Sequence, residues 1–181
     1  MEWVFDGGRL CIDLVNTLRD RHAGGRELVT GPDALTRWLD LAGLSGARAV
    51  DGDVSTARTL REVIDRVTRA VSVGRRPAAD DVACLNTMAA ALPPPALRID
   101  DDGTPRRVTS VSPVPVAAAL AVVAADAIDL VTGSPDMRVC AADDCGLRFV
   151  DVSPKRNRQW CSMARCGNRA KARAHYARRR S

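Results

Sequence analysis

The amino-acid sequence predicts a mainly α-helical protein with one β-hairpin, in which a helical N-terminal domain (residues 1–136) precedes a small C-terminal module (residues 137–181). Three observations support this fold class. Apolar residues recur at spacings of three and four along most of the N-terminal domain, as on the buried face of a helix. One short stretch instead alternates apolar and polar residues around a turn. The C-terminal module holds four of the six cysteines but has too few bulky apolar side chains to form a core alone.

Apolar periodicity and helix-stop residues predict the first three helices. A short first helix starts near Gly8 and carries an apolar face that continues to Leu18. A second helix is predicted over residues 32–43, because a proline suits its first turn and a glycine ends its apolar stripe. The third is predicted over residues 55–73, where a regular apolar stripe ends before Gly74.

The rest of the N-terminal domain is predicted to contain two more helices with a hairpin between them. The fourth helix covers residues 77–92 and has two aspartates in its first turn, where negative charge favours the helix dipole. The hairpin joins residues 97–99 to residues 108–111 through a turn at Asp102-Gly103. The fifth helix covers the alanine-rich residues 115–132.

Positive charge is concentrated after the predicted domain boundary at Ser134-Pro135. From Arg138 onward there are 12 Lys or Arg against 3 Asp, a net charge of +9, whereas the preceding residues carry a net charge of −4. A module this basic is typical of proteins that bind a polyanion. Aromatic residues make up only 3% of the chain, which leaves few surfaces on which single-stranded bases could stack.

The sequence favours a cytoplasmic protein that is neither exported nor embedded in a membrane. Glu2, Asp6 and Arg9 interrupt the N-terminus, so it does not resemble a signal peptide. The most apolar stretch, residues 114–131, contains a proline and two aspartates and is typical of a buried helix rather than a membrane span. The N-terminal domain has no glycine-rich phosphate loop, serine elbow or His-carboxylate cluster, so we do not expect an enzyme.

The four cysteines of the C-terminal module form two pairs, with four residues inside each pair and fifteen between them: Cys140, Cys145, Cys161 and Cys166. This spacing is typical of a structural Zn²⁺ site, and four thiolates would fill its tetrahedral shell without leaving a place for a catalytic water. Zinc contributes about 10–16 kcal/mol to the folding of small modules. The alternative is four free or disulfide-linked cysteines, which a cytoplasmic setting disfavours.

Local patterns around the cysteines predict a treble-clef-like zinc finger. Residues 139–140 and 147–152 are expected to form two short strands around the first cysteine pair, with Leu147 and Phe149 on one face. Residues 169–180 contain no Gly or Pro and predict a terminal helix that starts just after the last ligand. Alanines 170, 174 and 177 would form a smooth stripe that packs on the hairpin.

The basic residues of this module are candidate nucleic-acid contacts, because arginine can donate two parallel hydrogen bonds to a phosphate or a guanine. The candidates are Arg156, Arg158, Arg165, Arg169, Lys171, Arg173, Arg178, Arg179 and Arg180. DNA is the expected partner, and RNA is the alternative. A solvated or protein-binding helix and an acidic membrane surface stay open at this point, since a run of charge alone is unspecific.

Two parts of the sequence resemble known families. Residues 160–171 contain Cys166-Gly167-Asn168-Arg169 and resemble the defining motif of the CGNR zinc-finger family, as do Phe149-x-Asp151-x-Ser153 and the basic residues 155–158. Gly8-Arg9-Leu10 and residues 13–17 resemble the ABATE domain, which precedes this finger in bacterial proteins described as stress-induced transcription regulators. The resemblance implies a zinc-dependent, DNA-binding transcription regulator. An RNA- or ribosome-associated zinc module is the alternative function.

The sequence of the helical domain is compatible with several roles. Polar residues around the first helix would either line a small-molecule effector pocket or make ordinary helix-end and surface contacts: Arg9, Asp13, Asn16, Arg19 and Arg21. A homodimer is a further role for this domain. We also hypothesise that exposed, arginine-flanked zinc thiolates release the metal on oxidation.

Overall fold

The computed structural model describes residues 3–92, 94–109, 115–133 and 136–178, and it confirms the mainly helical fold class. The helices of the N-terminal part are α1 (Leu10–Val15), α2 (Pro32–Leu41), α3 (Asp51–Ser72), α4 (Ala79–Ala89) and α5 (Val116–Thr132). The long helix α3 lies at the centre and packs against α1, α2, α4 and α5. Its buried Leu60 and Ile64 join Ile12 and Val123 in one apolar core.

The first helix is shorter than predicted, and the residues after it form a small hairpin that was not predicted. The hydroxyl of Thr17 donates to the carbonyl of Leu14 (2.7 Å) just after α1, which favours an end of the helix there. Leu18 then starts strand β1 (Leu18–Arg19), which pairs antiparallel with β2 (Arg26–Glu27). The expectation that Leu18 belongs to the first helix was therefore wrong.

Other boundaries differ by a few residues. Helix α3 starts four residues earlier than predicted, because the carboxylate of Asp53 accepts the N–H of Val50 (2.9 Å) and caps the helix there. Strands β3 (Pro95–Ile99) and β4 (Pro105–Thr109) form the predicted hairpin, with Leu97 opposite Arg107. The predicted strand end at Val111 lies outside the described residues.

The C-terminal part contains the predicted hairpin and terminal helix. Strands β5 (Met137–Val139) and β6 (Arg148–Val150) are antiparallel, and a π-helical turn (Met163–Gly167) leads into α6 (Asn168–Arg178). Leu147 and Phe149 are both buried, as their predicted shared face requires. Residues 179 and 180, the end of the predicted helix, lie outside the described residues.

The C-terminal part is joined to the helical part through strand β6. The N–H of Val150 donates to the carbonyl of Gly7 (2.9 Å), and the side-chain amide of Asn16 bonds both the N–H and the carbonyl of Arg148 (2.9 Å each). Val150 packs in the helical core, and Val4 packs among the cysteines. In the part of the chain that the structure describes, no helix has the length and apolarity that a membrane crossing needs.

Candidate metal centre and basic surface

The first cysteine pair is held by a tight knuckle between β5 and β6. The N–H of Cys140 donates to the carbonyl of Leu147 (2.8 Å), and the N–H of Cys145 donates to the carbonyl of Ala142 (3.0 Å). Gly146 follows with φ +63°, and a Cβ added there would lie 2.8 Å from Nδ1 of His22. The left-handed backbone therefore favours glycine here, and a larger residue would also displace the His22 side chain.

The second cysteine pair lies at the start of the terminal helix. Ser162 accepts the N–H of Arg165 with its hydroxyl (3.4 Å) and the N–H of Cys166 with its carbonyl (2.9 Å), which forms the turn between the two cysteines. A Cβ on Gly167 would lie 2.5 Å from Sδ of Met163. The glycine of the Cys-Gly-Asn-Arg motif therefore allows the turn to pack closely on its own first residue.

The four predicted cysteines converge on one point. All four Sγ atoms lie within 4.8 Å of one another, and Cys161 Sγ is 3.7 Å from the sulfurs of both Cys145 and Cys166. Four sulfurs about 2.3 Å from a tetrahedral zinc ion would be about 3.8 Å apart, whereas a disulfide needs about 2.05 Å. The arrangement fits four-sulfur zinc coordination and does not fit a disulfide.

The electrostatics of these thiols favour a bound cation. The hydrogen bond from Cys161 lowers the pKa of Cys145 to about 5 and raises the pKa of Cys161 well above its usual range. Burial raises the pKa of Cys166 to about 11. The thiolate of Cys145 is therefore stabilised by its surroundings. Cys161 and Cys166 are shifted the other way and need a positive ion nearby to ionise at neutral pH, and zinc would supply that charge.

Arg169 of the Cys-Gly-Asn-Arg motif lies at the surface and also contacts a cysteine of the metal centre. Its Nη2 lies 3.5 Å from Cys166 Sγ and donates to the carboxylate of Asp144 at 3.0 Å. A cation beside a zinc thiolate disperses its negative charge and fixes its orientation. The sequence placed Arg169 among the nucleic-acid candidates but gave no sign of this contact with sulfur.

The loop between β6 and the second cysteine pair is organised by Asp151, which is 2% exposed. Its carboxylate accepts the backbone N–H groups of Ser153 (2.9 Å) and Arg158 (2.7 Å). Burial opposes ionisation of this carboxylate, but these hydrogen bonds lower its pKa overall. The Phe-x-Asp-x-Ser pattern therefore has a structural role in shaping the loop.

Arg158, one of the predicted nucleic-acid contacts, has several partners within the protein. Its guanidinium donates to the carbonyls of Trp160 (2.8 Å) and Cys161 and lies over the ring of Phe149, 4.8 Å from the centroid. These contacts turn the side chain inward, and the backbone N–H of the same residue donates to Asp151. In the structure Arg158 supports the metal centre instead of extending into solvent.

The other basic candidates occupy several positions on the surface. Arg156, Lys171 and Arg173 are exposed, and Asp144 accepts hydrogen bonds from both Arg169 and Arg173, the latter at 2.7 Å. Arg165 pairs with Asp6 of the N-terminal segment at 3.2 Å. The side chain of Arg178, together with residues 179 and 180, lies outside what the structure describes.

The alanine stripe predicted on α6 is described only in part. Ala170 is half-buried at the start of the helix, whereas the side chains of Ala174 and Ala177 lie outside the described set. Lys171, Ala172, Arg173, His175 and Tyr176 are exposed. Most of the described surface of α6 is therefore free to face a partner.

The polar residues around the first helix do not line one common pocket. Arg9 donates to the carboxylate (2.9 Å) and the carbonyl (3.0 Å) of Asp126 on α5. Asp13 accepts the N–H of Gly7 at 2.8 Å. Asn16 holds β6, and Arg21 donates to Glu62 on α3 at 2.7 Å. The motif around α1 thus connects the helices to one another and to the zinc module.

The structure also corrects the premise of the oxidation hypothesis. That hypothesis assumed exposed ligands, but Cys161 and Cys166 are fully buried and Cys140 and Cys145 are no more than 5% exposed. Oxidation of a thiol depends on access as well as on ionisation. Cys11, outside the metal centre, is also buried, and burial raises the pKa of its thiol strongly.

Comparison with known families agrees with this division of the chain. Residues 8–134 match the ABATE family, described as "Putative stress-induced transcription regulator", and residues 137–179 match the CGNR zinc finger. No curated protein matches the chain. The match to the first family covers well over half of the sequence, and the four clustered cysteines lie inside the second match. The chain therefore belongs to the ABATE family and carries a C-terminal CGNR zinc finger.

Proposed function

We propose that this protein regulates transcription by binding duplex DNA through α6 and the adjoining basic loop. The observation that carries the proposal is the position of α6, which starts two residues after the last zinc ligand, Cys166, and contains no acidic residue. The metal centre anchors one end of the helix, and its exposed cations are presented together. With 11 residues the helix is about 16 Å long, which suits the major groove or a phosphate track.

The ion pairs that α6 makes within the protein are compatible with DNA binding. Arg169 and Arg173 share the single carboxylate of Asp144, and all three side chains are more than 40% exposed. Exposed pairs of this kind contribute little to stability and are screened by salt. A DNA phosphate can therefore replace Asp144 as their partner. Lys171 and Arg156, which are also exposed, extend the same basic surface.

Fluorescence anisotropy with labelled duplex DNA tests this proposal on the zinc-loaded full chain. The double variant Lys171→Gln/Arg173→Gln should weaken binding about tenfold and flatten the dependence of affinity on salt by about 0.9 for each lost phosphate contact. The matched control is Arg75→Gln/Arg76→Gln, which removes the same charge from the exposed loop after α3. Equal weakening by both double variants would contradict a role for α6.

Duplex RNA is the alternative partner, because a basic helix can also follow the phosphates of an RNA duplex. The same titration with duplex RNA separates the two functions. The proposed function requires tighter binding to DNA, whereas equal binding to both would favour an RNA- or ribosome-associated module.

We assign the remaining roles as part of the same proposal. Residues 137–181 would form the DNA-binding module, and residues 1–136 would sense a ligand or form a dimer. Neither matched family is described as enzymatic, and a four-sulfur shell leaves no zinc position for a substrate, so we propose a non-catalytic protein. A cytoplasmic location would keep the four thiols reduced and available for zinc.

A further inference from the structure

A cleft lies between helix α3 and the zinc knuckle and has a volume of about 720 Å³. One wall carries Arg21, Asp65 and Arg69, and the other carries Arg148 and the knuckle residues from Val139 to Asp143. Pockets for small organic ligands have volumes of about 300–1,000 Å³, so this cleft is large enough for one.

Guanidinium groups outnumber carboxylates around this cleft. Asp65 is approached by Arg148, by Arg69 at 3.7 Å and by Arg21 at 3.9 Å. The connected network of ion pairs contains five arginines and three acids: Arg21, Arg58, Arg61, Arg69 and Arg148 with Glu27, Glu62 and Asp65. When Asp143 at the exposed rim of the cleft is added to the three acids, the five arginines still leave an excess of positive charge.

Several donors in this network have no hydrogen-bond partner among the described residues. Arg148 is 90% buried as a side chain; its Nε forms an ion pair with Asp65 and its Nη2 donates to Asp65 (3.3 Å), while its Nη1 donates no hydrogen bond to a described residue. Nε of Arg21 is also buried without a partner, and the Arg69 guanidinium donates no hydrogen bond in the described structure. Burial, with Arg21 and Arg69 nearby, lowers the pKa of Arg148 although Asp65 opposes the shift. A buried guanidinium with unused donors and cationic neighbours is stabilised by an added anion.

We infer that the cleft binds a small organic anion, with its carboxylate or phosphate group held by Arg148 and Arg69 and its body against the knuckle. The inference gives the ligand-sensing part of the proposed function a site and a chemical class, and it does not depend on DNA binding. The anionic group belongs to a small molecule rather than to a DNA backbone because Arg148 and Arg21 are recessed, with side chains only 10% and 17% exposed.

Isothermal titration calorimetry tests the inference on the zinc-loaded full chain, with inorganic phosphate and succinate as probes at constant ionic strength. We expect saturable binding of at least one probe to one site, weakened about tenfold by Arg69→Gln because a charge-assisted hydrogen bond is lost. The matched control is Arg76→Gln, which removes the same charge from an exposed position outside the cleft and should change the affinity less than about twofold.

A gain of affinity provides a second measurement that loss of folding cannot imitate. Asp143→Asn removes the carboxylate at the rim of the cleft and should strengthen probe binding about threefold. Absence of saturable binding for both probes, or equal weakening by Arg69→Gln and Arg76→Gln, overturns the inference.

The duplex-DNA titration separates this inference from the proposed function. If Arg69→Gln weakens DNA binding as much as Lys171→Gln/Arg173→Gln does, the cleft is part of the DNA surface and the small-molecule inference fails. If the chain binds a probe through Arg69 but does not bind DNA, the inference stands and the proposed function fails.

Discussion

The two parts of this molecule are stabilised by different means. The helical part buries a continuous apolar core that includes Trp38, Leu60 and Val123, whereas four of the eight buried residues in the core of the zinc module are the cysteines themselves. A core this small does not offset the loss of conformational entropy on folding. The comparison shows that one chain can combine a domain stabilised by apolar burial with a module that depends on its metal.

The largest effect is expected from Cys161→Ser, because it removes the thiol whose sulfur lies 3.7 Å from two other ligands. The variant should lose its zinc, and with it most of the folding free energy, about 10–16 kcal/mol, that zinc contributes to such a module. Helix α3 and its neighbours should stay folded. Zinc analysis and circular dichroism measure the two effects. Cys84→Ser, at a half-buried thiol outside the metal centre, should retain one zinc per chain. One zinc ion per chain in Cys161→Ser would contradict the conclusion that the C-terminal module depends on a metal held by all four cysteines.

A smaller effect, confined to the helical part, is expected from the buried carboxylate of Asp13. Burial raises its pKa from 3.8 to about 7, and the nearby Asp6 and Asp126 add to this. The folded state therefore binds the proton more tightly than the unfolded state, so this contribution to stability is complete below pH 4 and is lost as the pH rises through about 7.

Asp13→Asn should accordingly be more stable than the parent chain by up to about 4 kcal/mol above pH 7, with the difference shrinking towards pH 5. Urea unfolding between pH 5 and pH 9 with saturating zinc measures this difference. Asp101→Asn, at an exposed turn of the β3–β4 hairpin, is the control. Parallel pH profiles for Asp13→Asn and the parent chain would disprove the assignment.

The contact between the two parts is tested by Asn16→Ala. This change removes two buried hydrogen bonds to the backbone of Arg148 and should cost about 2–3 kcal/mol. Faster amide hydrogen exchange in β6, with zinc still bound, is the expected signature. Asn86→Ala, at an exposed position of α4, should leave this exchange unchanged. Unaltered exchange of β6 in Asn16→Ala would show that the two parts do not depend on this contact.

Local patterns in the sequence predicted the helices, the hairpins around residues 97–108 and 140–147, and the zinc site. Paired cysteines and apolar periodicity are local signals, so Cys140 and Cys145 could be assigned without knowledge of the rest of the fold. The pair β1–β2 was missed because two-residue strands are too short to show an alternating pattern.

Contacts between distant residues could not be predicted in this way. Asn16 is separated from Arg148 by 132 positions, and the cleft beside Arg148 lies between α3 and the knuckle, which are far apart in the sequence. The contacts that Arg158 makes with Trp160 and Phe149 are likewise not revealed by counting charges. The sequence identified the chemical groups, but the fold determined which of them meet.

The pairing of Gly7 with Val150 has a consequence for biosynthesis. The N-terminal segment leaves the ribosome first, whereas β6 is made more than 140 residues later. The carbonyl of Gly7 and the side chain of Val4 lack these partners until the chain has been made as far as β6 and the cysteines, and closing so long a loop is slow. We therefore expect the early helices to assemble first and the amino-terminal segment to dock last, when the newly made finger has acquired its metal.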